Sequence, residues 1–299
     1  MNSSKQIALT AVLIIGLLLI AVPTVFAADT EKAKEHYNTG IEMAKAGKIE
    51  EAVLSYMAAI AADEGFIDAY INLGAIYFET KEYDKAMETF KTATEKDPTN
   101  VTAFANLGRV NYALKRWLEA ETAFKSAIAL DDKNAEFYKE LGKVYYNKGE
   151  FTKVVESISK CHQLGGSDQN SHYMLGKGYQ NQEKTTDAIA AYKKSLELEK
   201  SSKAHSALGG IYLGQEKYAA AAREYKAALK VNPKGSTAAY NYAIAVQSQD
   251  PEDYDANIEA WQDFIKLAKK NPRKKNQVAE AERVVKELQE AKKQADLQQ

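Results

Sequence analysis

Nine polar and aromatic side chains recur at fixed offsets from a repeating glycine, and their chemistry suits the holding of a polypeptide. Asn38, Asn72 and Asn106 each stand two residues before such a glycine, and Arg109, Lys143 and Lys177 stand one residue after it. Tyr112 and Tyr146 stand four after, in line with Phe78, while Tyr173 stands three before on the same helix face. An asparagine side chain offers a donor and an acceptor, matching both needs of a peptide unit. A row of them can hold an extended backbone without reading its sequence. The basic rungs would favour acidic side chains or a free carboxylate through charge-assisted hydrogen bonds. Tyrosines add flat contact area at low entropic cost. The rival reading is that these are ordinary solvated residues; asparagines and then cations in register favour a binding face.

Other reactive residue types are present but their spacing does not favour chemistry. His36, His172 and His205 share one slot, four residues before the small residue, and read as core histidines of separate units. Cys161 is the only cysteine and adjoins His162, but neighbouring helical residues point about 100° apart, so the two read as unconnected. A chain with one cysteine cannot be a disulfide scaffold. The acidic turn at Asp250, Glu252, Asp253 and Asp255 lacks the glycine and terminal glutamate of a calcium loop. "KLAKKNPRKK", residues 266–275, reads as a solvated helix end and linker. No phosphate-binding loop, catalytic carboxylate pair or nucleophile elbow occurs. The reading is therefore no enzyme, no metal and no cofactor. With 40 basic and 41 acidic residues and a net charge of -1, nothing global points to nucleic acid, and partner choice by charge must be local.

What positions the nine residues is a period. Small residues stand at Gly40, Gly74, Gly108, Gly142, Gly176, Gly209 and Ala243, at intervals of 34, 34, 34, 34, 33 and 34. Twelve positions later come Ala52, Ala86, Ala120, Ala188 and Ala221, with Val154 as the exception; seven further on come Ala59, Ala93, Ala127, Cys161, Ser195 and Ala228. Leucines precede most of the glycines, and aromatics follow at Tyr77, Tyr145, Tyr179 and Tyr212. Each unit reads as two amphipathic helices, glycine on one and alanine on the other allowing close approach. About the helix 101–113, Phe104, Leu107, Gly108 and Asn111 face inward, while Thr102, Ala105, Asn106, Arg109, Tyr112 and Ala113 face outward.

This pattern resembles the tetratricopeptide repeat family over residues 33 to about 270. The resemblance implies an all-α fold, a right-handed α-solenoid of helix pairs, with the outward face of each first helix lining a concave groove. The asparagine row resembles the inner-face ladders of O-GlcNAc transferase repeat domains and kinesin light chains. Repeats start near 33, 67, 101, 135, 169, 202 and 236, so the solenoid occupies 33–272. The seventh unit departs, with Tyr242-Ala243 for Leu-Gly and a longer acidic turn. In the fourth, Gly165-Gly166 suggests a hinge before the fifth. Val278, Ala281, Val284, Val285, Leu288 and Ala291 form one stripe on a charged helix, read as a capping helix over 273–299.

At the N-terminus Lys5 precedes a mostly apolar, uncharged run from Gln6 to Ala28, and Val25-Phe26-Ala27 supplies small residues for cleavage. Residues 1–27 read as a signal peptide, with an uncleaved membrane anchor as the alternative; 28–32 is a short leading segment. The expectation is a non-catalytic protein–protein interaction scaffold of a bacterial cell envelope, exported and periplasmic, binding an extended or acidic peptide. A membrane contact follows only if the segment stays uncleaved. A self-assembling homo-oligomeric solenoid is the alternative.

Overall fold

The structure, a computed structural model, describes residues 29–298, so the export segment read at 1–27 lies outside the described residues. Among these it holds fifteen α-helices, one 3-10 turn and no strand. It is an all-α solenoid built of helix hairpins. The chain divides into two compact units, Met1–Pro98 and Thr99–Gln299. No helix among the described residues is long and apolar enough to cross a membrane.

In the first unit α1 (Thr30–Lys45) pairs with α2 (Ile49–Ala62), and α3 (Ile67–Glu79) with α4 (Tyr83–Lys96). The second unit continues the pairing. It runs α5 (Val101–Ala113) with α6 (Trp117–Leu130), α7 (Ala135–Lys148) with α8 (Phe151–Gln163), and α9 (Gln169–Asn181) with α10 (Thr185–Leu198). Then come α11 (Ser202–Gly214) with α12 (Tyr218–Val231), α13 (Ser236–Gln249) with α14 (Tyr254–Ala268), and finally α15 (Lys275–Asp296).

Local chemistry sets the boundaries. Asn100, Asn134, Asp168 and Ser201 each accept an amide of the first turn, opening α5, α7, α9 and α11. Within hairpins the chain reverses through a left-handed residue: Gly47, Lys81, Lys115, Gly149, Glu183 and Glu216, with φ between 58° and 73°. Glycine marks only two of these turns, because lysine or glutamate tolerates the left-handed region elsewhere for roughly 1 kcal/mol.

The packing corrects the expected glycine–alanine contact. The repeating glycines receive a large side chain from the paired helix: Tyr56 on Gly40, Phe90 on Gly74, Phe124 on Gly108, Ile158 on Gly142 and Tyr192 on Gly176. A Cβ on Gly74 or Gly108 would stand 2.7 Å from a ring carbon, closer than atoms pack. A flat ring therefore needs the bare backbone, while the alanines are fully buried beside it. Ala105, expected on the outward face, is also buried, packed with Ala127 and Phe137. A first helix here has two covered sides, one against its partner and one against the next unit.

The junction read as a hinge is filled. Gly165 takes the left-handed conformation, but Gly166 lies tightly against Ala135 and Cys161, and the Cys161 thiol donates to the Gly166 carbonyl at 2.5 Å. At the other end of the second unit, Val278, Ala281, Val285 and Leu288 of α15 are buried in one cluster with Trp261 and Phe264 of α14.

Candidate functional site

Of the nine residues singled out in the sequence, Asn38 and Asn72 lie in the first unit and the other seven in the second. Their environments differ sharply.

In the first unit Asn38 is exposed, whereas Asn72 is engaged. Its Nδ2 donates to Tyr37 Oη at 3.1 Å and approaches Tyr56 Oη at 3.5 Å. Burial raises both tyrosine hydroxyls above their ordinary pKa, with the Asn72 bond acting the other way, so Asn72 meets neutral phenols.

In the third and fourth repeats the polar face is largely satisfied within the chain. Arg109 donates to Asn106 Oδ1 at 3.1 Å, one helical turn apart. Lys143 pairs with Glu140 at 2.7 Å. Tyr112 accepts from Asn147 at 2.9 Å and packs edge-on to Trp117. Tyr146 packs edge-on to Phe151. Asn111 is buried, its Nδ2 donating to the Leu107 carbonyl at 2.8 Å. The expectation of free basic rungs at Arg109 and Lys143 is thus revised: one is tied to an amide and one carries its own counter-ion.

The second unit opens instead over the first helices of the fifth to seventh repeats. A cavity of about 620 Å³ is lined by Tyr173, Lys177 and Gln180 of α9, Ser202, Lys203, Ser206, Ala207 and Gly210 of α11, and Ser236, Thr237, Ala238 and Asn241 of α13. The loop residues Asn232, Lys234 and Gly235 and the ring of Tyr225 complete it, and no carboxylate lines it. Lys177 is half-buried, and Lys203 and Lys234 are exposed. A neighbouring hollow of about 410 Å³ shares Tyr173, Ser202, Lys203 and Asn232 and adds Lys200 with one acid, Glu199. Burial drives the Tyr173 hydroxyl far above its ordinary pKa, with Tyr146 adding to it, so Tyr173 offers a neutral phenol.

The cavity brings together Tyr173 and Lys177 and omits the other seven. Ala207 and Gly210 stand where the third repeat has Asn106 and Arg109, and these small residues line the open space. A Cβ at Gly210 would meet only Tyr225 Oη at 3.6 Å, so packing does not demand glycine there. Lys203 and Lys234 lie off the ladder slots, Lys234 between two helices, and no ladder count could find them.

Several of the remaining candidates are engaged in contacts of the fold. The acidic turn is internally bonded: Asp250 accepts the amides of Glu252 and Asp253, Asp253 caps α14 at Ala256, and Asp255 pairs with Lys292. His205 hydrogen-bonds Glu224 at 2.7 Å. Cys161 and His162 do point apart, the thiol to Gly166 and the imidazole to Ser171. Burial pushes the thiol up to about 11. His172, however, is not isolated: its ring lies 4.4 Å from that of His162.

Models described as tetratricopeptide repeat match residues 43–109, 173–222 and 206–272, and one described as TPR repeat matches 108–149. No protein of curated function matches the sequence. Among solved structures, MamA is 26% identical with a TM-score of 0.53, covering 56% of this chain and 91% of its own. YrrB, described as a TPR protein with an unusual peptide-binding site, is 19% identical with a TM-score of 0.54 over 62% of this chain and 95% of its own. PilF of Pseudomonas aeruginosa is 19% identical with a TM-score of 0.57 over 71% and 95%. The last two bear on the fold alone. The period, the hairpins and these matches together place the chain in the tetratricopeptide repeat family, a family of protein–protein interaction modules.

Proposed function

We propose that this chain is a non-catalytic interaction scaffold that holds an extended, acidic peptide segment of a partner protein, chiefly across α9, α11 and α13. The observation that carries the reading is the cavity with Lys177, Lys203 and Lys234 on its wall and no carboxylate in its lining. Among the described residues none of the three lysines forms an ion pair, so the hollow favours carboxylates over cations. Hydroxyls and amides of Ser206, Thr237 and Asn241 supply the donors and acceptors that a peptide backbone uses. The chain is further proposed to act in the bacterial cell envelope, on the periplasmic side, because Lys5 followed by the apolar run to Ala28 has the form of an export signal.

A fluorescein-labelled peptide rich in Glu and Asp, titrated with the protein in anisotropy, should bind, and binding should weaken steeply with salt. A lysine-rich peptide of equal length should not. Equal binding of both, or of neither, overturns the reading. N-terminal sequencing of the protein recovered from periplasmic and membrane fractions tests the location.

A further inference from the structure

We propose that the joint between α8 and α9 is a proton-sensitive coupling, in which protonation of the closely packed His162–His172 pair loosens α9 and so weakens the anion-favouring cavity that α9 helps to wall. This rests on the reading of that cavity as a binding site.

The geometry starts at Ser171, which is fully buried. Its hydroxyl donates to the Asp168 carbonyl at 2.8 Å and accepts the Asp168 amide at 2.9 Å. The Asp168 carbonyl also accepts the His172 amide at 3.1 Å, and His162 Nε2 lies 2.9 Å from the Ser171 hydroxyl, donating or accepting according to its tautomer. The ring nitrogen that lacks a proton in the neutral imidazole is the one that takes the second. Its ring lies 4.4 Å from that of His172, so charging both places two cations in contact across the joint. The corresponding slots hold Ile128 and Tyr138 one unit earlier, and Leu196 and His205 one unit later. Two imidazoles meet only here in the second unit.

The surrounding charges do not neutralise the pair. From α7 come Lys139 and Glu136, paired with one another, and Lys139 also takes Asp168. Lys194 and Glu197 of α10 pair with each other at 2.8 Å; Cys161 is buried and neutral. Burial holds both histidines below the ordinary imidazole range. For His162 the ring of His172 adds to this and for His172 Lys194 does; Asp168 opposes in both cases, joined at His172 by Glu197. The unfolded chain therefore binds these protons more readily than the folded one. Stability of the joint is intact above about pH 6.5 and is lost as pH falls below it. The link to the cavity is direct, because Tyr173 follows His172 and lines it, as does Lys177 one turn on.

Hydrogen-exchange protection factors of 169–181, taken relative to those of 101–113, test the joint. Between pH 7.5 and 5.5 the ratio should fall several-fold in the natural chain. It should stay flat in the combined His162→Gln, His172→Tyr variant. His162→Gln alone keeps a donor to Ser171 and should remove most of the effect, which covers a folding defect in the double variant. An unchanged ratio in the natural chain, or the same fall in both variants, overturns the proposal. The labelled acidic peptide gives the second arm: its affinity should drop over the same interval in the natural chain and hold in His162→Gln. If the peptide fails to bind at pH 7.5, the reading of the cavity fails, and the exchange ratio still decides the joint.

Discussion

The third and fourth repeats and the fifth to seventh repeats of the second unit are built on one period, yet their polar faces are opposites. In the former, Arg109 is spent on Asn106, Lys143 on Glu140 and Tyr112 on Asn147. In the latter, Lys177, Lys203 and Lys234 surround a hollow with no carboxylate. The same slot, one residue after the repeating glycine, carries Arg109, Lys143, Lys177 and Gly210 in succession. A polar side chain on a repeat face is therefore no evidence of binding until its partners are counted. A side chain that already has its hydrogen bond must give it up to take a ligand, and the exchange returns little. The open face has no such debt.

The largest effect that could break this comparison is on binding. Replacing Lys177, Lys203 and Lys234 together by alanine should weaken the acidic peptide about thirtyfold, taking each exposed charge contact as under about 1 kcal/mol. The salt dependence should flatten with it. Arg109→Ala with Lys143→Ala should change affinity by less than about twofold. Anisotropy titrations of both variants at two ionic strengths decide the matter, and a reversal of the two results would move the site back to the third and fourth repeats.

Acid should act on the closed region through Glu121. That carboxylate is buried on α6 and takes Lys125 at 2.7 Å, Lys148 at 2.5 Å and the Tyr145 hydroxyl. Burial alone would raise its pKa, but the two lysines outweigh it and bring it down to about 2, while Lys148 is raised to about 12. The folded pKa lies below the unfolded one. The stability contributed is thus complete above about pH 4.5 and lost as pH falls toward 2. Glu121→Gln should cost about 1–2 kcal/mol at neutral pH and flatten the denaturation midpoint over that acid window. Urea midpoints measured from pH 7 to 3 would show it; a parallel pH profile in the variant would mean that the network contributes nothing.

The architecture was legible because it repeats: a small residue every 33 or 34 positions averages away local exceptions. Details that occur once were not. The rings seated on Gly74 and Gly108 could be counted in the sequence, but which helix presents them depends on the rotation of one helix about another. The left-handed turns at Lys81, Lys115, Glu183 and Glu216 carry no glycine to announce them. The site was legible only in part, because helical periodicity gives the direction of a side chain and not its partners. Tyr173 and Lys177 share a helix face with Asn106 and Lys143, and what separates the two sets is the pairing of Asn106 with Arg109 and of Lys143 with Glu140. The pairing of His162 with His172 crosses a loop whose path is set by Gly165, Gly166 and the Asp168 cap, and no spacing rule reports it.

The smallest effect sharpens the comparison at a single atom. Gly176 and Gly210 both lie in first helices that face the cavity region, but only one glycine is required by packing. A Cβ on Gly176 would stand 2.6 Å from the Tyr192 ring, whereas on Gly210 it would meet only Tyr225 Oη at 3.6 Å, an ordinary contact. Alanine is the better helix former by about 0.8–1 kcal/mol. Gly210→Ala should therefore stabilise the chain by up to about 1 kcal/mol, and Gly176→Ala should destabilise it by about 1–3 kcal/mol through overpacking. Urea midpoints of the two variants give both signs. The methyl at position 210 also enters the cavity floor, so peptide affinity should not rise with stability. If Gly210→Ala gains stability while losing affinity, the glycine is held by the site and not by the fold, and the bare backbone at that rung is part of what the partner touches.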